Sequence, residues 1–422
     1  MEDIEQRAIL VGVSFGRDEY DIEESMNELK ELTLAANAEV AGILIQNKER
    51  VDATFFIGKG KVEEVREACV LNDANLVIFN DELSGAQIRN LEQAMDVKVI
   101  DRTALILDIF AVRAKTRIAK LQVELAQLRY RLPRLQGLGQ SMSRTGAGIG
   151  TRGPGEQKLE LDRRRIRERI TEIQQQIKEA NQTRQVQRVK RDKNEIPIVA
   201  VVGYTNAGKS TIMNKILEMT NEEDVTEKQV FAKNMLFATL DTYSRRISLD
   251  ENRNFILVDT VGFVSKLPHS LVEAFKATLE EVNEADLLIH VVDASNEHQN
   301  MQMTVTHRVL DEIGAGNKKM LFAYNKIDLV DHEIDHLKEG AYQTSAVTGM
   351  GLDGLIQGIV KEVFNDIVSA TFLVPFDQGR ILSELCNAGK VLSTDYLETG
   401  TKVRLELHEK DYNKYKNFSI GE

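Results

Sequence analysis

An apolar run, Val199-Ala200-Val201-Val202, feeds directly into Gly203-Tyr204-Thr205-Asn206-Ala207-Gly208-Lys209-Ser210, the pattern G-x-x-x-x-G-K-S behind a strand. No other segment restricts the fold as tightly. The glycines let the backbone close around an anion with its N–H groups pointing inward, and a helix over about 209–217 would present its positive end to that anion. In such a cradle Lys209 reaches the β- and γ-phosphates of a nucleotide and the Ser210 hydroxyl ligates magnesium. A plain glycine turn between strand and helix would also satisfy the pattern, so the downstream sequence has to decide.

It decides for guanine. Phe255-Ile256-Leu257-Val258 reads as a buried strand ending in Asp259-Thr260-Val261-Gly262. That puts a magnesium-associated aspartate at a strand end and a glycine where backbone must approach the γ-phosphate. Lys319-Met320-Leu321-Phe322-Ala323-Tyr324, mostly apolar, delivers Asn325-Lys326-Ile327-Asp328. The Asp328 carboxylate can accept from both the ring N–H and the exocyclic amine of guanine. Adenine would set it against a ring acceptor, a mismatch on the order of a few kcal/mol. Lys326 is expected to pack its stem along the base, and Asn325 to tie this motif to the phosphate loop. After a third strand, Thr344-Ser345-Ala346-Val347 would offer backbone N–H groups to the guanine carbonyl. The magnesium-sensing loop falls in Phe237-Ala238-Thr239-Leu240-Asp241, with Thr239 the favoured ligand of magnesium and γ-phosphate. Thr242 is the runner-up, and a threonine on a strand edge is the bland alternative.

The residues expected to act on the reaction are Lys209, Thr239, Gly262 and Asn206. Phosphoryl transfer to water needs a positioned nucleophile and charge stabilisation. A glutamine after the glycine of D-x-x-G often orients that water, but here the position is Phe263, which neither donates nor accepts. Slow intrinsic turnover follows, with the missing group supplied from outside. Asn206 could help hold a potassium ion in place of an arginine finger, or it could merely cap the loop.

At 422 residues the chain should hold two to four domains. Cys69 and Cys386 lie far apart without metal-ligand spacing, as ordinary thiols in a reducing compartment. Met1-Glu2-Asp3-Ile4-Glu5 is not a basic and apolar leader, and no apolar run approaches membrane-spanning length. A cytoplasmic protein is expected. The net charge of −12 conceals a strong asymmetry: residues 111–195 hold 21 Lys/Arg against 9 Asp/Glu. A basic segment on an acidic chain is a localised footprint for phosphate backbones.

Residues 1–108 alternate short apolar runs (8–13, 41–45, 76–79, 97–100) with amphipathic segments (22–36, 84–94), predicting an N-terminal α/β domain with a mainly parallel sheet. Gly58-Lys59-Gly60-Lys61 lacks the rest of a phosphate fingerprint and reads as a turn opening a helix from Val62. Over 109–195 the period changes. Ile118, Leu121, Leu125, Leu128 and Leu132, then Leu159, Ile166, Ile170, Ile173 and Ile177, mark an antiparallel coiled-coil hairpin whose first helix is ended by Pro133. Its polar faces carry Arg163, Arg164, Arg165, Arg167 and Arg169, which could be a solvated face or an RNA contact. The loop between the helices, 134–156, interleaves seven glycines with Arg134, Arg144 and Arg152, and a long glycine- and arginine-rich loop fits RNA better than a linker. A G domain should occupy 196–366, its mostly parallel sheet covered by helices on both faces, and a small α+β domain 370–422. In the latter a strand is expected over 372–376 and a helix over 380–388.

With these residues assembled, the chain resembles the HflX family of ribosome-associated GTPases over essentially its whole length. The carrying motifs are Gly150-Thr151-Arg152-Gly153-Pro154-Gly155-Glu156 with Leu159-Glu160, then 203–211, 237–241, 259–263 and 325–328. The resemblance implies GTP hydrolysis with magnesium, stimulated by ribosomes. It also implies binding to the large ribosomal subunit and its RNA rather than to DNA, and subunit splitting that rescues stalled or hibernating ribosomes. Some relatives are reported to bind ATP in the amino-terminal domain, for which no second phosphate loop is visible. Two departures stand out. Asp241-Thr242-Tyr243-Ser244-Arg245 replaces the proline and two threonines common after the Leu-Asp of the family, and the segment between Thr211 and Phe237 is longer than usual, with the acidic Asn221-Glu222-Glu223-Asp224. Rival readings are a regulatory GTP switch acting on a protein effector, and an RNA-processing enzyme clocked by the G domain. No added His/Glu or Cys constellation supports the latter. A monomer is expected.

Overall fold

The computed structural model describes residues 6–16, 21–135, 154–192, 196–220, 237, 243–249, 253–268, 271, 281–330, 337 and 339–420. In the first unit, β1 (Arg7–Ser14), α1 (Ile22–Ala35), β2 (Glu39–Asn47), α2 (Lys59–Leu71), β3 (Leu76–Phe79), α3 (Gly85–Met95), β4 (Lys98–Asp101) and α4 (Arg102–Arg113) follow one another. The four strands form a wholly parallel sheet in the order β2-β1-β3-β4. A parallel sheet must be covered on both faces, and the alternating side chains of β1 and β3 divide accordingly. Ala8, Leu10, Leu76 and Ile78 meet Met26, Leu29 and Leu32 of α1 and Ile106 and Phe110 of α4. Ile9, Val11, Val77 and Phe79 meet Val62 and Val65 of α2 and Leu91 of α3. Each large side chain so buried contributes about 1.5–3 kcal/mol. The turn at Gly58 opens its helix at Lys59, three residues earlier than the hydrophobic pattern suggested, with Gly58 itself as the N-cap.

The hairpin consists of α5 (Arg117–Arg134) and α6 (Pro154–Asp192). Leu121 and Leu125 bury against Ile173, flanked by Leu128, Ile170 and Ile177, the middle part of the seam read from the spacing; Ile118, Leu132, Leu159 and Ile166 are not part of this cluster. Arg169 crosses it as a fork onto Glu124, at 2.7 and 3.0 Å. Pro133 lies inside the last turn of α5 rather than terminating it, and the helix runs one residue further. A proline so near the end costs only the one bond that its missing N–H would have made to the Arg129 carbonyl, and the Leu135 amide still caps the turn on the Arg131 carbonyl. Most of the glycine-rich loop, including Gly150, Arg152 and Gly153, lies outside the described residues.

The third unit opens with β5 (Ile198–Gly203) and α7 (Lys209–Thr220), followed by β6 (Tyr243–Ser248), β7 (Asn254–Asp259), β8 (Leu287–Asp293), α8 (Gln299–Ile313), β9 (Met320–Asn325), β10 (Ala341–Gln343) and α9 (Leu352–Val363). The six strands take the order β10-β9-β8-β5-β7-β6, parallel except where β6 runs against β7. Val199 and Val201 of β5 face α7 and α9; Ala200 and Val202 face Val309 and Leu310 of α8. The last unit is an antiparallel sheet of β11 (Ile367–Val374), β12 (Gly389–Leu397), β13 (Gly400–His408) and β14 (Ser419–Ile420), with α10 (Gly379–Ala388) and α11 (Glu409–Tyr415). Its core gathers Phe372, Leu385, Val403, Leu405 and Tyr415. The expected strand over 372–376 in fact starts at Ile367 and stops before Pro375. The α/β multidomain architecture read from the sequence is the one observed.

Candidate nucleotide site

The carboxyl ends of β5, β7 and β9 bring the sequence motifs to one edge of the six-stranded sheet. Gly203 sits at φ +144°, and a Cβ there would strike the Val291 carbonyl. Gly208, at φ +96°, has Asn325 Nδ2 where a Cβ would be. Between them Asn206 adopts φ +61° and is solvent-exposed. Asparagine is among the few residues that tolerate this left-handed conformation.

Lys209, the first residue of α7, is 6% exposed and donates through Nζ to the carbonyls of Gly203 (3.0 Å) and Tyr204 (2.6 Å). Burial pulls its ammonium down to about 8, partly opposed by Asp259. Such a desolvated cation favours an anionic ligand. The Ser210 hydroxyl donates to Asp259 Oδ2 at 2.5 Å, so a hydroxyl and a carboxylate converge beside the loop, the hard oxygen donors that suit magnesium. Thr205 Oγ1 is buried without a hydrogen-bond partner among the described residues, a polar atom left for a ligand in the cradle. Thr260, by contrast, spends its hydroxyl on the Val201 carbonyl at 2.6 Å and braces the sheet.

The segment after Asp259 lies against the loop. A Cβ on Gly262 would come 2.8 Å from Thr205 Cγ2 and 2.9 Å from Lys209 Nζ, so only glycine fits. Thr205 N donates to the Phe263 carbonyl (2.8 Å), and Phe263 N donates to the Gly203 carbonyl (3.2 Å). Val261 and Phe263 are buried, the latter 2% exposed among Val258, Leu288 and Leu310, so its side chain serves the core and not a water molecule.

On the base side, Asn325 is 1% exposed and does what its position predicts. Nδ2 donates to the Ala207 carbonyl at 2.8 Å, and Oδ1 accepts from the Ala346 amide at 2.9 Å. Ile327 and Asp328 lie in a short helical turn, with the Asp328 carboxyl exposed at its mouth. Lys326 takes φ +65° and pairs its ammonium with Asp293 at 2.7 Å, which fixes the direction of its stem. The Ser345 amide donates to the Met350 carbonyl at 2.9 Å, so this N–H and that of Ala346 are engaged within the protein, while Val347 is exposed. Phe237 packs edge-on against Phe110 of α4 at 4.6 Å between ring centroids. Ala238, Thr239, Leu240, Asp241 and the runner-up Thr242 lie outside the described residues.

Motif reading found Tyr204 only as a link of the loop. In the structure its hydroxyl donates to Glu28 of α1 at 2.6 Å and accepts from the Ser265 amide at 2.6 Å. Neither Glu28 nor Ser265, nor Arg102, which joins them, carries any signal in the sequence. An acid on an amphipathic helix and an arginine at a helix start ordinarily face solvent.

Comparison with known proteins bears on what this arrangement serves. Three family profiles match in succession: "GTP-binding GTPase N-terminal" over 23–111, "GTP-binding GTPase Middle Region" over 113–191 and "50S ribosome-binding GTPase" over 198–326. The GTPase HflX of Caldanaerobacter subterraneus subsp. tengcongensis is 47% identical over 416 residues, 99% of this chain and 94% of that protein. The GTPase HflX of Escherichia coli strain K12 is 39% identical over 411 residues, 96% and 94% of the two chains. Among solved structures, a GTP-binding protein of Sulfolobus solfataricus in complex with GDP aligns over 85% of this chain and 99% of its own, at 23% identity and a TM-score of 0.44.

Proposed function

Since the chain belongs to the HflX family of GTPases and hydrolyses GTP, we propose that it binds the large ribosomal subunit and its RNA. It couples GTP binding and hydrolysis to splitting ribosomes or rescuing stalled and hibernating ones, as a monomer in the cytoplasm. Lys209 and the loop amides hold the phosphates, Asp328 reads guanine, and Asn325 fixes the distance between the two. Ser210 and Asp259, with Thr239, are the residues that would hold magnesium, which supplies charge neutralisation at the phosphates. Gly262 and the loop close on the γ-phosphate, while Phe263 leaves the attacking water without an orienting side chain. Turnover therefore waits on an outside partner.

The observation that carries the ribosome reading is the basic hairpin. Arg164, Arg165 and Arg167 are exposed along α6, on a segment with 21 Lys/Arg against 9 Asp/Glu in a chain of net charge −12. A field of that shape docks on phosphate and repels elsewhere. The test is the GTPase rate with and without purified large subunits, in the wild type and with Arg152→Ala. Stimulation that weakens steeply with salt and is lost in the variant is expected. Absence of stimulation, or stimulation indifferent to Arg152, would falsify this reading and leave a switch for a protein effector.

A further inference from the structure

Resting on that reading, we propose that Asp101 and Arg102, adjacent residues where β4 passes into α4, are positioning residues for GTP hydrolysis that fasten the hairpin tip to the segment following Gly262. Each faces a different unit of the molecule.

Asp101 is fully buried and holds the hairpin. Its Oδ1 accepts from the Tyr130 hydroxyl (2.8 Å) and the Ala104 amide (2.9 Å); its Oδ2 accepts from Arg134 (3.0 Å) and the Leu83 amide (3.0 Å). Arg134 also donates to the Leu83 carbonyl at 2.8 Å and stacks 3.5 Å from the Tyr130 ring centre. The fit is flush, because a Cβ on Gly85 would come 2.8 Å from the Arg134 carbonyl oxygen. Arg163 of α6 closes the clamp by donating to the Leu135 carbonyl at 2.8 Å. The glycine-rich segment proposed to meet RNA therefore leaves the helix one residue after this anchor.

Arg102 holds the nucleotide side. At 1% exposure it donates to Asn80 Oδ1 (2.9 Å), to the Ser265 carbonyl (3.2 Å) and to the Ser265 hydroxyl (3.1 Å), and it is ion-paired with Glu28. Glu28 accepts in turn from the Tyr204 hydroxyl of the phosphate loop and from the Ser265 hydroxyl, and the Ser265 amide donates to Tyr204, which closes a ring across the interface. Next to it Lys266 adopts φ +52° and pairs with Asp81 at 2.6 Å. A lysine in the left-handed region is strained, and strain of this kind persists only where neighbours hold it.

The location carries its own meaning. Asn80, Asp81 and Asp101 stand at the carboxyl ends of β3 and β4, the edge where parallel α/β sheets receive their ligands. Here that edge receives 265–266 of the nucleotide unit. Buried charges in a closed network are docked together or not at all, since removing one partner strands the others without water. The ring thus holds the two units in one register. A displacement at the loop stem acts on Asp101, one peptide from Arg102, which grips Ser265, three residues beyond the glycine that approaches the γ-phosphate.

The experiment uses the full chain, measuring kcat and KM for GTP with and without saturating large subunits, subunit binding by co-sedimentation, and thermal unfolding of each variant. Tyr130→Phe removes only the hydroxyl on Asp101 and keeps the ring; Arg102→Gln opens the other side. Each is expected to lower the subunit-stimulated kcat about tenfold, with KM and subunit binding within about twofold of the wild type. The double variant should lose no more than either single one. Full stimulation in Tyr130→Phe, multiplicative losses in the double variant, or losses that follow weaker subunit binding would overturn the inference while leaving the ribosome reading intact. A wild type without stimulation would overturn both.

Discussion

Asn325 Nδ2 donates to the Ala207 carbonyl across 118 residues of chain, at 2.8 Å, while the other end of the same carboxamide accepts from Ala346. One buried side chain thereby sets the separation between the phosphate and base ends of the nucleotide site. Asn325→Ala leaves a carbonyl and an amide without partners in a dry place. Nucleotide affinity should fall by about 2 kcal/mol, roughly thirtyfold, as read from the GDP dissociation constant. An unchanged constant would mean that the loops keep their distance without it.

Asp328 is exposed at the mouth of the site, free to meet a base edge that offers two donors. Asp328→Asn replaces one acceptor by a donor. Guanine then faces a mismatch and xanthine, with a ring N–H beside a carbonyl, a match. GTP should bind on the order of a hundredfold more weakly, and xanthosine triphosphate should become the better competitor. Equal losses for both nucleotides would count against Asp328 as the base reader.

Lys209 titrates at about 8 in the unliganded protein, chiefly through burial. Phosphate beside it favours the charged form, so nucleotide binding takes up a proton where the free protein has lost one. Affinity should be level below pH 8 and fall above it by up to about tenfold per pH unit. Titrations from pH 7 to 9.5, with binding heats in two buffers of different ionisation enthalpy, check both sign and window.

Asn206 has a conformational reason to be asparagine, its φ of +61°. A potassium site would add a chemical one. Asn206→Gly preserves the backbone and deletes the side chain. Hydrolysis by the wild type should be faster in potassium than in sodium chloride, and the variant should lose that difference while still binding GTP. Equal wild-type rates in the two salts would leave the backbone as the whole explanation.

The nucleotide site was legible because each of its parts requires a residue type at a fixed spacing. Gly208 must lack a side chain since Asn325 fills the space, and Asn325 must bear both a donor and an acceptor. The hairpin seam was legible for the same reason, a period of apolar residues imposed by helix packing. What joins the units was not. Glu28 and Arg102 look like surface charges in their own helices, and they share a partner in Ser265, 163 residues beyond Arg102, only in the assembled fold. Contacts set by tertiary assembly leave no local pattern.

That long separation has a consequence for the nascent chain. The parallel sheet of the first unit is complete by Arg113, well before Ser265 is translated. At ribosomal speeds of about 5–20 residues per second the interval is on the order of 10–30 s. Until those later residues arrive, the Glu28–Arg102 pair lacks Ser265 and the face around Phe110 lacks first Phe237 and then Val264. The first unit is therefore born with an open, partly apolar flank that its own later sequence must cover.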